Sequence, residues 1–260
     1  LVESITPTFK RRTLNFAAPH PLRVLMYHKV CAHGNVDPLT IPVDSLEAQL
    51  HYLKQEGYNS IRLSDLVNYI LAGTSLPEKP VLISFDDGYR DNFTTAYPLF
   101  EKYSIKANIF LVPAFLQQKA NRDASEASIY LRLEDIQAMD PDLVEYGLHS
   151  YDHKSYKTLD NAAIAADLLQ CKNALADMGI SFQPCLAFPY GAYPKKNQVK
   201  LRQFLRTLSD SQIVAAFRIG NRLNALPLRH PLLIQRLDIQ GGNNFKKFTR
   251  LLRNGKTLFG

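Results

Sequence analysis

The 260-residue chain has no tryptophan and only three cysteines, no apolar run of membrane-spanning length, and no glycine-rich phosphate loop. Cys31, Cys171 and Cys185 form an odd, sparse set, which argues against a disulfide framework and suits a reducing compartment or buried thiols. None of the three falls within two to four residues of another, so a cysteine-based zinc site is excluded. Crossing a bilayer takes roughly 18 to 20 apolar residues, and the best stretches here are broken by Lys, Asp or Pro within about ten. That excludes integral membrane insertion. With neither GxGxxG nor GxxxxGK[ST], the dinucleotide-fold and P-loop readings lose their main support.

What is present excludes disorder: 46% of residues are hydrophobic and 21% charged. Lys and Arg number 31 against 24 Asp and Glu, a formal surplus of +7. The positive residues cluster at Lys195-Lys196, Lys200 to Arg202, Arg218 to Arg222 and Lys246 to Lys256 without a recognised nucleic-acid motif, so no nucleic-acid partner is expected. Residues 1–20, with Pro7, Pro19 and Lys10-Arg11-Arg12, read as an N-terminal arm. From Pro21 short apolar runs alternate with helical periods. Strands are expected over 23–28, 60–63, 81–85, 107–112, 144–148, 185–188, 213–217 and 232–239. Helices are expected over 46–56, 64–72, 93–103, 133–139, 162–178 and 197–208. Seven or so β/α units in one chain favour a single-domain α/β barrel or an open doubly wound sheet. Residues 241–260 read as a basic C-terminal helix or tail. Its run Phe245 to Arg253 is amphipathic, fit either to pack on the barrel wall or to make peripheral contact with an anionic membrane.

Three segments carry chemistry, each at the end of an expected strand, the active face of a barrel. Asp86 and Asp87 follow the run 81–85 directly. Two adjacent carboxylates in a confined site cannot both stay ionised without a cation or a proton between them, so the pair asks for a metal. His149 and His153 lie four apart, a spacing that lets two imidazoles face one ion. With Asp87 they make an O,N,N set that leaves open positions for water and substrate. Phe188-Pro189-Tyr190-Gly191 reads as a turn able to aim a backbone N–H outward, as an oxyanion site requires.

Ser84-Phe-Asp-Asp-Gly88, His149-Ser-x-x-His153 and Phe188-Pro-Tyr-Gly191, in this order, resemble the polysaccharide deacetylases with NodB homology, carbohydrate esterase family 4. Tyr27-His28 and Gly88-Tyr-Arg-Asp-Asn92 resemble the branch that deacetylates poly-N-acetylglucosamine. The resemblance spans residues 21–240 and implies a distorted (β/α)7 TIM-like barrel that hydrolyses an N-acetyl amide on a sugar. It implies that Asp87, His149 and His153 hold a divalent metal, with zinc expected and cobalt or nickel as alternatives. It further implies that Asp86 is the general base and that the N–H of Tyr190 stabilises the oxyanion.

The sequence also departs from the family pattern. An arginine that tethers the catalytic aspartate in many relatives is Ala187 here, and Arg236 on the last expected strand is the candidate replacement. Without tryptophan, an aromatic floor for the sugar has to come from Tyr89, Tyr151, Tyr190 or Tyr193. Two histidines compete for the general acid: His230, in an echo of a Leu-x-His motif, and His28, at the end of the first strand. The expected partner is an N-acetylated glycan. Two other readings stand beside deacetylation: a non-catalytic glycan-binding barrel, and an O-acetyl esterase or small-amide hydrolase on the same scaffold. The chain begins with Leu, so the expected location is the cell envelope or a membrane periphery if a signal was removed, and the cytoplasm otherwise.

Overall fold

The structure is a computed structural model that describes residues 20–32, 36–117 and 129–256. Apart from His20, the expected N-terminal arm lies outside the described residues. Seven strands close into a ring: β1 (Arg23–Tyr27), β5 (Pro80–Asp87), β6 (Ala107–Leu111), β7 (Val144–Leu148), β8 (Cys185–Ala187), β9 (Ala215–Ile219) and β10 (Ile234–Asp238). Every neighbouring pair is parallel, and β1 closes the ring by pairing with both β5 and β10. A short β4 (Asn59–Ile61) flanks the start of β5, and β2 (Lys29–Cys31) pairs with β3 (Thr40–Pro42) apart from the ring. The fold is a (β/α)7 barrel.

Strands covered on both faces must be apolar along their whole length, which is why they read as runs rather than alternations. One parity of side chains, including Leu25, Ile83 and Ile109, packs outward against the helices. The other parity, including Val24, Leu82, Phe110, Ala215, Phe217 and Ile234, fills the barrel. Inside, the Phe110 and Phe217 rings sit 5.3 Å apart. Gly147 makes room for them, since a Cβ there would lie 2.6 Å from Phe110 ring carbons.

The helices are α1 (Val43–Gln55), α2 (Leu63–Ala72), α3 (Tyr97–Tyr103), α4 (Pro113–Gln117), α5 (Leu133–Ala138), α6 (Asn161–Asp177), α7 (Gln198–Asp210) and α8 (Phe245–Asn254). In α6, Ile164, Leu168, Cys171 and Leu175 fall on one stripe and all are buried. The Asp160 side chain accepts the Ala163 N–H at 2.8 Å and fixes the start of that helix. Truncating Leu168 to Ala in this seam costs about 2–5 kcal/mol.

Several boundaries differ from expectation for local reasons. The strand expected over 60–63 ends at Ile61, because Asp65 accepts the Arg62 N–H and starts α2 at Leu63. The helix expected over 93–103 opens as a π-turn over Asn92–Ala96 before α3. The strand expected over 213–217 starts two residues later, since Ile213 N–H still closes the end of α7 on Leu208 O. Pro231 begins a 3₁₀ turn over Pro231–Leu233, which delays β10 to Ile234. In α8, Phe248 and Leu252 are buried, and Tyr52 of α1 packs on Phe245 and Phe248. Phe248 and Leu252 are therefore covered by the barrel wall, while Phe245, 46% exposed, stays at the surface with the basic face. Among the described residues no helix is long and apolar enough to cross a membrane.

Candidate metal centre

The C-terminal ends of β1, β5, β7, β8 and β10 converge on one cluster. Asp86 and Asp87 close β5 and are 2% and 6% exposed. Asp87 has φ +73° and Gly88 φ +69°, so the strand ends in two successive left-handed residues that swing the Asp87 carboxylate across the barrel mouth. Gly88 has no substitute here: beyond its φ, a Cβ would meet Leu111 Cδ2 at 2.9 Å. Ser150, His153 and Tyr190 also have positive φ. Four of the eight such non-glycine residues described thus lie in these motifs, as expected where surrounding structure holds a strained functional loop.

His149 follows β7 and is 1% exposed. Its Nδ1 lies 2.8 Å from the Ala187 carbonyl oxygen. A carbonyl can only accept, so Nδ1 carries the hydrogen and Nε2 is left to face the carboxylates. His149 Nε2 is 3.4 Å from Asp87 Oδ1, and His153 Nε2 is 3.2 Å from the same oxygen. One ligand atom from each of Asp87, His149 and His153 lies within 4.8 Å of the others. Asp87 Oδ1 is buried without a hydrogen-bond partner. Two nitrogen donors converging on a buried, unpaired carboxylate oxygen fit a divalent cation. Burial opposes charge on Asp87, but His149 and His153 outweigh it and hold its carboxyl below the usual range. Burial and the charge on His149 push His153 down to about 4.

Asp86 forms a bidentate pair with Arg236 of β10, at 2.6 Å from Nη1 to Oδ1 and 2.8 Å from Nη2 to Oδ2. Arg236 is 0% exposed. Burial raises the Asp86 carboxyl, but the charges of Arg236 and His149 outweigh it and hold the group well below its ordinary value. The fork also fixes the carboxylate plane. His149 Nε2 lies 3.8 Å from Asp86 Oδ2, which brings the aspartate beside the triad.

His28 follows β1, whose last residue pairs with Phe85. Burial lowers its imidazole, and the charges of Asp86, Asp87, Arg236 and His149 all act on it. Its main-chain oxygen accepts Asn92 Nδ2 at 2.8 Å, from the first residue of the π-turn. His230, by contrast, is exposed and precedes β10, at the opposite end of the strand from Asp238. The structure does not bring it to the cluster, because residues leading into a barrel strand lie on the face away from the mouth.

Tyr190 closes the cluster from β8. Its ring is 69% exposed and stands edge-on to His153, with centroids 4.5 Å apart. A chain of rings continues from there. Phe115 lies 5.9 Å from His153, Tyr130 stacks on Phe115 at 4.5 Å, and Tyr89 stacks on Tyr130 at 5.3 Å. Tyr89 and Tyr190 were expected in such a wall and Phe115 and Tyr130 were not. Tyr193 belongs to the core at 6% exposure, and Tyr151 packs at its edge with its hydroxyl on Gln117. Asp167 of α6 accepts the Tyr151 N–H at 3.1 Å and the Tyr156 hydroxyl at 2.5 Å, so it anchors the loop carrying both histidines.

Comparison with known proteins bears on this cluster. The family profile described as "Polysaccharide deacetylase" matches residues 73–217, which include Asp86, Asp87, His149, His153 and Tyr190. A Bacillus subtilis (strain 168) protein named "Putative polysaccharide deacetylase YxkH" is 28% identical over 175 residues, 67% of this chain and 58% of that protein. The poly-beta-1,6-N-acetyl-D-glucosamine N-deacetylase of Staphylococcus aureus (strain MSSA476) is 24% identical over 160 residues, 58% of this chain and 54% of that one. The chain thus spans little more than half the length of these two relatives. Among solved structures, the Streptococcus pyogenes deacetylase PplD in complex with acetate superposes with a TM-score of 0.74 at 18% identity, covering 90% of this chain and 99% of that one. At that identity the likeness shows the shared fold.

Proposed function

The chain belongs to the polysaccharide deacetylase family, and from that premise we propose that it is a metal-dependent hydrolase removing N-acetyl groups from N-acetylhexosamine units of a glycan. The observation that carries this reading is the division of labour between the adjacent aspartates: Asp87 Oδ1 faces two imidazoles unpaired, while both Asp86 oxygens are engaged by one arginine. Asp87, His149 and His153 would hold the cation, zinc being expected and cobalt or nickel able to replace it. When bound, it supplies Lewis acidity, making a water easier to deprotonate and the acetyl carbonyl more electrophilic.

This chain's own residues do the rest. Arg236 keeps Asp86 ionised at neutral pH and correctly oriented. A carboxylate held this far below its usual range is a weak base, so it takes a proton only from water whose acidity has been raised. The Asp86 carboxylate receives that proton, and the N–H of Tyr190 donates to the oxygen that gains charge as the acetyl carbon becomes tetrahedral. His28, at the mouth beside Asp86, is favoured over His230 to protonate the leaving amine. The rings of Tyr89, Tyr130, Phe115 and Tyr190 offer apolar faces for a sugar, taking the place of a tryptophan.

The reading is tested by replacing Asp86 and His149 separately and measuring acetate release from N-acetylglucosamine oligomers alongside bound metal. Asp86→Asn is expected to keep the metal and lose release by about 10³-fold, the order typical of removing an acid–base group. His149→Ala is expected to lose the metal. Retained release in Asp86→Asn sinks the mechanism. Glycan binding by wild-type protein without release from any N-acetylated or O-acetylated substrate would favour the non-catalytic barrel instead.

A further inference from the structure

The segment Gly88 to Asn92 follows the two aspartates directly, and its last two residues have no part in the metal centre. Asn92 is 0% exposed and opens the π-turn Asn92–Ala96. Turns of this kind are rare and occur mostly at functional sites. Asn92 Nδ2 uses both of its hydrogens, one on the His28 carbonyl oxygen at 2.8 Å and one on Asp91 Oδ1 at 2.9 Å. Two acceptors on one side fix the amide with its NH2 end toward them and Oδ1 turned away. That oxygen is buried without a hydrogen-bond partner. Burying an unpaired carbonyl is unfavourable, so the two N–H donors at the other end have to offset it.

His28 sits where such a hold matters. It is the single residue between β1, which belongs to the ring, and β2, which leaves the ring to pair with β3. Tyr27 pairs with Phe85, so the next residue, His28, comes level with Asp86. The peptide group joining His28 to Lys29 is held at both ends, its oxygen by Asn92 Nδ2 and its N–H by the Leu39 carbonyl at 2.9 Å. The Asp91 carboxylate faces the Val30 N–H, and the Lys29 ammonium lies 4.8 Å from the centroid of the Tyr89 ring. Three successive residues of the β1–β2 junction thus meet Tyr89, Asp91 and Asn92. Pinning a peptide plane fixes the direction of the Cα–Cβ bond, and staggered rotamers then limit where the imidazole can reach. The far side of the loop is tied down as well. Gly88 O accepts the Leu131 N–H at 2.8 Å, and Arg90 Nε donates to Asp135 Oδ2 at 3.1 Å. One braced loop therefore carries the proposed base, a proposed metal ligand and the mount of the histidine.

Building on the deacetylase reading, we infer that Asn92 is a positioning residue: by holding the His28 main chain level with Asp86, it aims the imidazole at the nitrogen of the scissile amide. As the C–N bond breaks, its electron pair stays on nitrogen, and the nitrogen takes a proton from His28. The proton that Asp86 removed from water then passes to His28, so each turnover consumes one water and yields acetic acid and a free amine. Asn92 itself touches neither substrate nor metal. Misplacing an acid by about 1 Å is enough to lower a rate by about 10²-fold.

The test exploits the leaving group. An amine leaves only when protonated, whereas para-nitrophenolate leaves from para-nitrophenyl acetate without a proton. In zinc-loaded Asn92→Leu, kcat for an N-acetylglucosamine hexamer is expected to fall by about 10²-fold with KM within about two-fold. Hydrolysis of the aryl ester is expected to stay within about three-fold. A merely structural role lowers both substrates together, and equal losses overturn the proposal. Asn92→Leu/His28→Gln is expected to be no slower on the hexamer than His28→Gln alone, because both changes disable one step; losses that multiply overturn it too. Should the Leu variant fail to fold, Asn92→Ala removes the same donors without adding bulk. The His28 ring signals in proton–carbon NMR spectra, assigned by their absence in His28→Gln, supply a readout that needs no turnover. They are expected to shift in the Asn92 variant while those of His230, on the opposite face, stay in place and report an intact fold. If wild type releases acetate from no N-acetylated substrate, the deacetylase reading fails, and the ring signals still decide the mount: unchanged signals reject it, and shifted ones support it.

Discussion

Replacing Arg236 by Met removes the one cation that forks onto Asp86 and leaves a carboxylate 2% exposed inside the barrel. Breaking a buried pair from one side costs about 3–5 kcal/mol, because the abandoned charge keeps its desolvation penalty without its partner. Against a total stability of roughly 5–15 kcal/mol the variant should still fold, with little margin. At about 2–4 °C per kcal/mol for a chain of this size, melting should drop by about 6–20 °C. The pH dependence carries the sign. In wild type the folded-state value of Asp86 is depressed, so its stabilisation is present above the ordinary carboxylate range and is lost only as pH falls through the depressed value. In Arg236→Met burial dominates and the value rises above that of the unfolded chain. Asp86 then destabilises at neutral pH, and the penalty is relieved on acidification. Thermal melts of wild type, Arg236→Met, Asp86→Asn and the double variant from pH 4 to 8 form the cycle. The double variant should recover part of the loss, with a coupling of at least about 1 kcal/mol between the sites. A single variant within about 1 kcal/mol of wild type at every pH, with no coupling, would refute the claim that Arg236 holds this aspartate ionised.

Other substitutions probe separate links. Gly147→Ala puts a methyl 2.6 Å from the Phe110 ring, and overpacking there should cost about 1–3 kcal/mol in denaturant unfolding. Asp167→Asn weakens the anchor of the histidine loop and should lower metal affinity by about ten-fold in a competition titration, the effect usual for outer-shell partners. Tyr130→Ala, which breaks the ring stack between Tyr89 and Phe115, should raise KM for N-acetylglucosamine oligomers more than it lowers kcat. His28→Gln should lower kcat by about 10²-fold or more while metal stays bound, whereas His230→Gln should leave kcat unchanged. The opposite pattern would reverse the choice of acid.

The parts of the site legible in the sequence were those encoded locally at strand ends. Asp86-Asp87, His149 to His153 and Phe188 to Gly191 each follow an apolar run, and parallel strands of a barrel bring all such ends to one face. Arg236 could be suspected for the same reason, although its partner lies 150 residues away. His230 fails by that rule too, since it precedes its strand. Phe115 and Tyr130 were invisible because ring stacking between separate loops leaves no period in the sequence. Short α4 falls below the length at which a helical period can be read. The π-turn at Asn92 arises from a tertiary contact with the His28 carbonyl that no local pattern announces.

The central claim is that Asp87, His149 and His153 hold a cation that enables Asp86-assisted release of acetate. Its most direct test is a titration of zinc into chelator-stripped protein, following acetate release from an N-acetylglucosamine hexamer. The account predicts no release without metal, a rise that levels off at one equivalent per chain, and release about 10³-fold lower from Asp86→Asn at the same occupancy. Release that is indifferent to metal, or equal in Asp86→Asn and wild type, would contradict it.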